Sequence, residues 1–456
     1  MERESERLRA QTFCRPTARN NAWRLVGLGG ILAVCLLAWV LRKPITARVM
    51  QRSTLENDAP PASVIEEMIA NDPSPVSAMV AAWTTDKIVH REVAIQQIGR
   101  SIPKGKPLPD ELEAMLLAGA LDPDQNVCEA SFSGLTAWSH PHLSILATLQ
   151  LGNADPEIRR LGLDSLRRNE TSSAVEAIAR LLDDPQPDIA ALAVHALGRL
   201  TRQDFGIKLS DAIAVDNEKS GLKEFTSESF DKVRARAAVA KAWLRENPQQ
   251  PSGQPAAVPD RARTARRRIP APDFGLKALD GTDWRLSDQR GKVVLINFWT
   301  TWCTACVGEL PALVELRRRN DSELVIVGVS LDNLADSHGH VGGHGSVGQD
   351  DTDGHHDGDG HDPHEGGEGD IPSIAEIRRK VEATVQRRGI NYPVLIDARN
   401  EVGSRYNGGE LPTTVIVDKE GFVRRRFVGP RSVEVFGAMV REAAQRDALL
   451  GPTQNQ

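Results

Sequence analysis

The stretch Val293-Val294-Leu295-Ile296-Asn297-Phe298-Trp299 runs straight into Thr300-Thr301-Trp302-Cys303-Thr304-Ala305-Cys306. An apolar run of this length, followed by an amphipathic run from Glu309 to Arg319, reads as a buried strand feeding a helix. Two cysteines at the mouth of that helix form a redox device. Unpaired backbone N–H groups and the helix dipole favour a thiolate at Cys303. Cys306 lies one turn in, close enough to close a disulfide. Metal sites use the same spacing. The preceding strand, the adjacent tryptophan and the lack of a second such pair favour redox chemistry.

The chain of 456 residues suggests about three domains. The formal net charge is −6, but residues 336–370 alone carry eight Asp, two Glu and no Lys or Arg, so the remainder is near +4. No basic stripe with interleaved aromatics is present, which argues against nucleic acid as a partner. Five cysteines, Cys14, Cys35, Cys128, Cys303 and Cys306, are too few for a disulfide scaffold. The first three read as small hydrophobes or idle thiols.

Residues 1–24 are polar with six arginines, and Leu25 to Leu41 carries no charge. This pattern predicts a tail over 1–21 and an uncleaved transmembrane signal anchor over 22–41. A cleaved signal peptide is the alternative. So is a lipoprotein signal at Leu32-Ala33-Val34-Cys35, although Val34 stands where a small residue belongs. Six basic residues before the span against Arg42, Lys43, Arg48 and Arg52 after it favour a cytoplasmic amino terminus. A single-pass chain with its bulk extracytoplasmic is therefore expected.

From 60 to 245 the chain reads as helices, and a period can be counted. Val127, Ile158 and Ile189 are 31 apart, as are Ala130, Leu161 and Leu192, and Leu135, Leu166 and Leu197. Each set follows a helix-start pattern: Asp122-Pro123-Asp124, Asp155-Pro156-Glu157, and Asp184-Pro185 with Asp188. The region resembles HEAT-like repeats over roughly 84–245, best at 122–201. That resemblance implies a small α-solenoid, either presenting a surface to a protein partner or acting as a spacer. His90, His140, His142 and His195 lack ligand spacing and read as structural or surface residues. Residues 246–269, rich in proline and glutamine, read as an extended linker. Its Arg261, Arg263, Arg266, Arg267 and Arg268 read as a solvated run or a contact for lipid headgroups.

Residues 270–448 give an alternating pattern. Strands are expected at 274–278, 283–286, 292–299, 323–330, 394–397, 413–418 and 422–428, with helices at 303–318, 373–388 and 431–447. Asp280-Gly281 marks a hairpin turn. This is an α/β domain with a β-α-β core and a carboxy-terminal hairpin. It resembles the TlpA/ResA-like group of thioredoxin-fold proteins. The matching residues are Ala271-Pro272-Asp273-Phe274, Asn297 to Pro311 around the cysteines, Gly408-Gly409-Glu410-Leu411-Pro412-Thr413-Thr414, and the hairpin with Asp418 and Gly421. The resemblance implies a membrane-anchored, outward-facing thiol–disulfide oxidoreductase of the bacterial inner membrane, a reductant of extracytoplasmic protein disulfides including those of metalloproteins or apocytochromes. It implies Cys303 as attacking thiol, Cys306 as resolving thiol and Pro412 as a cis-proline facing the disulfide. Asn297 stands where ordinary thioredoxins bury an aspartate. Glu309, one turn past Cys306, is the alternative proton carrier, or else simply a first-turn acid favoured by the dipole. No redox cofactor is expected. A peroxiredoxin is the neighbouring alternative, with Thr300 to Cys303 as its signature, but Cys306 already supplies a partner thiol.

Residues 336–370 interrupt this domain with eleven glycines and seven histidines: His338, His340, His344, His355, His356, His361 and His364. Such a tract cannot bury a core. Imidazole with carboxylate suits Cu, Zn or Ni, so metal gathering is expected, against a plain solvated loop. If strand 323–330 runs parallel to 292–299, the insertion leaves the fold beside Cys303. Two further functions follow as alternatives: a metal delivery or maturation protein, and an interaction scaffold built on the helices.

Overall fold

The computed structural model describes residues 62–85, 87–103, 106–208, 215–216, 223–224, 227–248, 258–319, 323–334 and 373–445. The expected tail and anchor, Cys14, Cys35 and the seven histidines of the insertion lie outside the described residues.

The amino-terminal part is helical. Its helices are α1 (Ala62–Ala70), α2 (Pro75–Trp83), α3 (Ile88–Ser101), α4 (Asp110–Gly119), α5 (Gln125–Ala137), α6 (Leu143–Gln150), α7 (Pro156–Arg168), α8 (Val175–Ala179) and α9 (Pro187–Thr201). The starts of α5, α7 and α9 keep the 31-residue interval. Asp124 and Asp155 cap α5 and α7, their side chains accepting first-turn N–H groups. Val127, Ile158, Ile189, Leu135, Leu166 and Leu197 are all buried, whereas Ala130 and Leu161 are only partly so. Helices α6 and α7 approach so closely that a Cβ on Gly162 would meet the Ala147 carbonyl oxygen at 2.6 Å.

A second regularity was not visible in the apolar pattern. The fourth residue of α3, Arg91, pairs with Asp122, and the fourth residue of α7, Arg159, pairs with Asp184 at 2.7 Å. In α5 the fourth residue is Cys128, and the position after it that corresponds to Asp122 and Asp184 is Asn153. Cation and anion are thus both missing from the same rung, which avoids stranding a buried charge.

A short ladder of β1 (Val215–Asp216) with β2 (Lys223–Glu224) precedes α10 (Ser227–Glu246) and α11 (Asp260–Ala265). Two expectations need correction here. Among the described residues no helix is long and apolar enough to cross a membrane. Even α10, at 20 residues, carries charges throughout. The transmembrane part of the expected fold class, and with it the single-pass membrane location, is therefore not part of the architecture observed. The expected extended linker likewise contains α11, whose Ala262 is buried against the helical core. Of the arginines from 261 to 268, Arg263 and Arg267 are exposed while three are engaged. Arg261 pairs with Glu113, Arg266 donates to the Leu121 carbonyl at 3.1 Å, and Arg268 pairs with Asp418 while lying over Phe422.

The carboxy-terminal part is an α/β domain. It comprises β3 (Ile269–Pro270), β4 (Gly275–Lys277), β5 (Asp283–Arg285), β6 (Val293–Trp299), α12 (Thr304–Arg319), β7 (Leu324–Ser330), α13 (Ile374–Arg388), β8 (Val394–Ile396), α14 (Glu401–Arg405), β9 (Thr413–Val417), β10 (Phe422–Val428) and α15 (Val433–Ala443). A six-stranded sheet runs in the order β3-β10-β9-β6-β7-β8. Strands β6, β7 and β8 are parallel, with Val293 opposite Leu324, and β9 and β10 form the antiparallel side. Strand alternation sorts β6 between two cores. Val293, Leu295 and Trp299 face α12, α13 and α15, while Val294, Ile296 and Phe298 face the β4–β5 hairpin and α14.

The two parts are tied together along β10. The Arg426 N–H donates to the Pro123 carbonyl at 2.9 Å, and its guanidinium lies 3.2 Å from both carboxylate oxygens of Asp124. Both side chains are at most 2% exposed. The same guanidinium donates to the carbonyls of Tyr406 and Asn407, so every face of the buried charge is engaged. Ile88 of α3 is buried in the hairpin-side core of the α/β domain, and Ala154 packs against the other.

Candidate active site

Strand β6 is buried from end to end and delivers Trp299 to the loop before the cysteines. Asp332 fixes that loop: its Oδ1 accepts from the Thr301 N–H at 2.9 Å and from the Thr301 hydroxyl, and its Oδ2 from the Ser330 hydroxyl at 2.6 Å. The first residues after β7 therefore sit beside the active-site loop, and the insertion departs from there.

Cys303 and Cys306 form a disulfide, with Cα atoms 5.2 Å apart. Cys303 immediately precedes α12 and takes the capping position, its Sγ accepting the Cys306 N–H at 3.1 Å. That bond and the helix N-terminus both favour negative charge on this sulfur. Cys303 is partly exposed, its neighbour Trp302 is 55% exposed, and Cys306 is buried. One sulfur is thus open to solvent and the other lies behind it.

Glu309 lies one turn past Cys306 on the same face of α12 and is buried. Its Oε1 accepts from the Asn297 side-chain amide at 2.9 Å and its Oε2 from the Arg431 backbone N–H at 2.9 Å. Burial pushes its pKa up to about 8 against the pull of that N–H, the Arg431 charge and the Asn297 amide. Asn297 also donates to the Thr414 hydroxyl at 3.2 Å. The Tyr392 hydroxyl is buried without a hydrogen-bond partner; burial and the nearby Glu309 push its pKa up. Pro412 follows a cis peptide bond, and its carbonyl accepts the Gly429 N–H at 2.8 Å. The structure thus gathers Cys303, Cys306 and Glu309 at the amino-terminal end of α12. Pro412 stands at the start of β9, whose Thr414 shares Asn297 with Glu309.

In the sequence Asn297 reads as the loss of an acid, with no sign that its amide would donate to Glu309. Arg431 and Asp332 do not stand out there, and Thr414 does so only as part of the Gly408-to-Thr414 match, with no role. Asp332 carried a signal, a polar residue just past the end of a buried strand. Arg431 carried none.

Among the described residues, one group of metal-type ligand atoms comes together: Glu113, His140 and His142. His140 Nδ1 accepts the His142 backbone N–H at 3.2 Å, so its proton sits on Nε2, 3.1 Å from Glu113. Glu113 is also paired with Arg261 at 2.6 Å. A protonated nitrogen and a cation at the carboxylate describe a hydrogen-bonded structural cluster. His90 is fully buried with neither ring nitrogen paired, which lowers its pKa to about 4 through burial, reinforced by Lys87. Cys128 is a buried free thiol whose pKa burial raises.

Comparison with known proteins agrees with this geometry. The AhpC/TSA family profile matches residues 268–342. The thiol-disulfide oxidoreductase ResA of Geobacillus kaustophilus is 30% identical over 167 residues, 36% of this chain and 70% of the relative. The chain belongs to the ResA family of thiol–disulfide oxidoreductases. The thioredoxin-like protein YneN of Bacillus subtilis is 28% identical over 159 residues, 35% of this chain and 69% of its own length. Among solved structures, a thioredoxin-family thiol:disulfide interchange protein from Chlorobium tepidum is 24% identical, covering 39% of this chain and 97% of that one, with a TM-score of 0.27. StoA from Bacillus subtilis is 18% identical, covering 37% and 95%, with a TM-score of 0.26. The ResA-family match lies in the α/β domain, and the chain is a thiol–disulfide oxidoreductase of the thioredoxin fold. The disulfide joins Cys303 to Cys306, so both thiols lie within one helical turn.

Proposed function

We propose that the chain reduces disulfides of protein substrates through Cys303. The thiolate of Cys303 attacks one substrate sulfur, forming a mixed disulfide and releasing the first substrate thiolate, which takes a proton from the medium. Cys306 gives its proton to ionised Glu309 and attacks Cys303 Sγ. The Cys303–Cys306 disulfide forms and the second substrate thiolate leaves, accepting the proton that Glu309 took up. Two electrons pass from the dithiol to the substrate, and two protons accompany them. Leu411, next to Pro412, offers the backbone edge against which a substrate strand would pair. The observation that carries the reading is the accessible sulfur at a helix N-terminus backed by a buried sulfur and a buried glutamate. The helices from 60 to 245 are read as HEAT-like repeats serving this domain.

Replacing Cys306 with Ser tests it. Cells expressing the variant should accumulate dithiothreitol-sensitive adducts through Cys303, absent from the double Cys303→Ser, Cys306→Ser variant. If no adducts form, and the wild type fails to reduce insulin, the reading is wrong.

A second reading is supported by the departure of the insertion beside Asp332. The seven histidines would gather Cu, Zn or Ni for a metal-handling substrate. Deleting 336–370 should abolish metal uptake while insulin reduction persists; unchanged uptake would rule it out.

A further inference from the structure

Asp124 and Asp155 occupy the same position in successive repeats, and both face the α/β domain. Asp124 takes Arg426. Asp155 takes Arg431, with Nε 3.3 Å from Oδ1 and side chains 6% and 2% exposed. The Arg431 Nη2 also donates to Gln125 Oε1 of α5 at 3.3 Å. Its Nη1 donates to the carbonyls of Val428, Gly429 and Pro430 at 3.2–3.3 Å, and the guanidinium lies over the Phe427 ring. The loop 428–431 is thus wrapped around its own guanidinium, which the helical part holds from outside. That loop supplies two active-site contacts: the Arg431 N–H to Glu309 and the Gly429 N–H to the Pro412 carbonyl.

We propose that Arg431, anchored by Asp155 and Gln125 of the helical stack, is a positioning residue that sets the ionisation of Glu309, so that the helical stack forms part of the active site. The inference rests on the reading of Glu309 as the proton-handling group. The groups facing Glu309 are Asn297 from β6, Cys306 from its own helix, Arg431 from the loop before α15 and the Tyr392 hydroxyl from the segment before β8. Asp155 stands behind Arg431. Releasing the guanidinium removes a cation from the neighbourhood of Glu309 and frees the backbone N–H that holds its carboxylate. Both changes disfavour the ionised form.

The test uses the full chain with Glu309→Gln, Arg431→Gln, Asp155→Asn and Asp124→Asn. Asparagine keeps the helix cap at either position. The readouts are the pH midpoint of the Glu309 carboxyl band by difference infrared spectroscopy and the pH profile of insulin reduction. R431Q should raise the midpoint by roughly one pH unit. D155N should move it in the same direction, adding nothing in the R431Q background, while D124N leaves it in place. An unmoved midpoint in D155N, additive shifts, or an equal shift in D124N overturns the inference. If R431Q does not fold, D155N against D124N carries the test. If E309Q keeps the wild-type pH profile, it is the reading of Glu309 that fails, independently of its anchor.

Discussion

Replacing Glu309 with Gln should make stability less sensitive to pH. In the fold Glu309 ionises near pH 8 instead of its ordinary 4.5. Between those values the native state keeps a proton that the unfolded chain has lost. Wild-type stability therefore falls as pH rises through this window and levels off above it. At about 1.4 kcal/mol per pH unit, the gap comes to at most roughly 5 kcal/mol. The glutamine of the variant cannot titrate, so that loss is absent. Its carbonyl can accept from either Asn297 or Arg431, and its amide faces the other donor, which costs about 1–3 kcal/mol at every pH. The offset is constant and the slope is the signal. Urea unfolding of the oxidised wild type and variant, repeated at successive pH values, should show the variant gaining on the wild type from pH 5 to pH 8. A flat difference would mean that Glu309 ionises as freely in the fold as in the unfolded chain, and the electrostatic account of the site would be wrong.

Arg426→Met should cost about 3–5 kcal/mol, measured by denaturant unfolding, because Asp124 is left buried and unpaired; a loss below about 1 kcal/mol would show that the pair is solvated. His90→Leu should stabilise the chain most at low pH. His90 stays neutral in the fold down to about pH 4, so wild-type stability is lost as pH falls below the ordinary histidine range, and the variant's thermal midpoint should diverge upward from pH 7 to pH 5. Gly162→Ala should cost about 1–3 kcal/mol by forcing α6 and α7 apart; thermal unfolding would reveal it, and an unchanged midpoint would refute the close approach.

Much of the α/β domain was legible because its signals are local. The apolar run at β6 and the turn at Asp280-Gly281 depend on near neighbours, and the observed elements differ from the expected limits mostly by a residue or two. The paired cysteines are local too, whereas the cis bond before Pro412, which the structure has, was expected only from the family resemblance. What escaped depends on distant partners. Phe422-Val423-Arg424-Arg425-Arg426 reads as part of the hairpin strand 422–428 with no sign of which arginine is buried, yet Arg426 is buried because Asp124, some three hundred residues earlier, meets it. Arg431 reads as the first residue of the closing helix at 431–447, and its role shows only when Asp155 is placed beside it. Helix α11 was hidden because a short segment carrying Asp260, Arg261 and Arg263 has little apolar periodicity of its own; docking on the helical core, not propensity, makes it helical. Asn297 shows the intermediate case, with its identity plain and its partner not.

The paired contacts of Asp124 with Arg426 and of Asp155 with Arg431 act as a ruler. One end is a repeat length, the other a few residues of strand and loop, and the two must match. Helical arrays can lengthen or shorten by whole repeats, because each unit contacts its neighbours alone. Here that freedom stops between 124 and 155: a unit inserted there would carry one aspartate out of reach of its arginine. Growth of this protein by duplication is confined to the outer ends of the stack, where an added repeat leaves the measured interval intact.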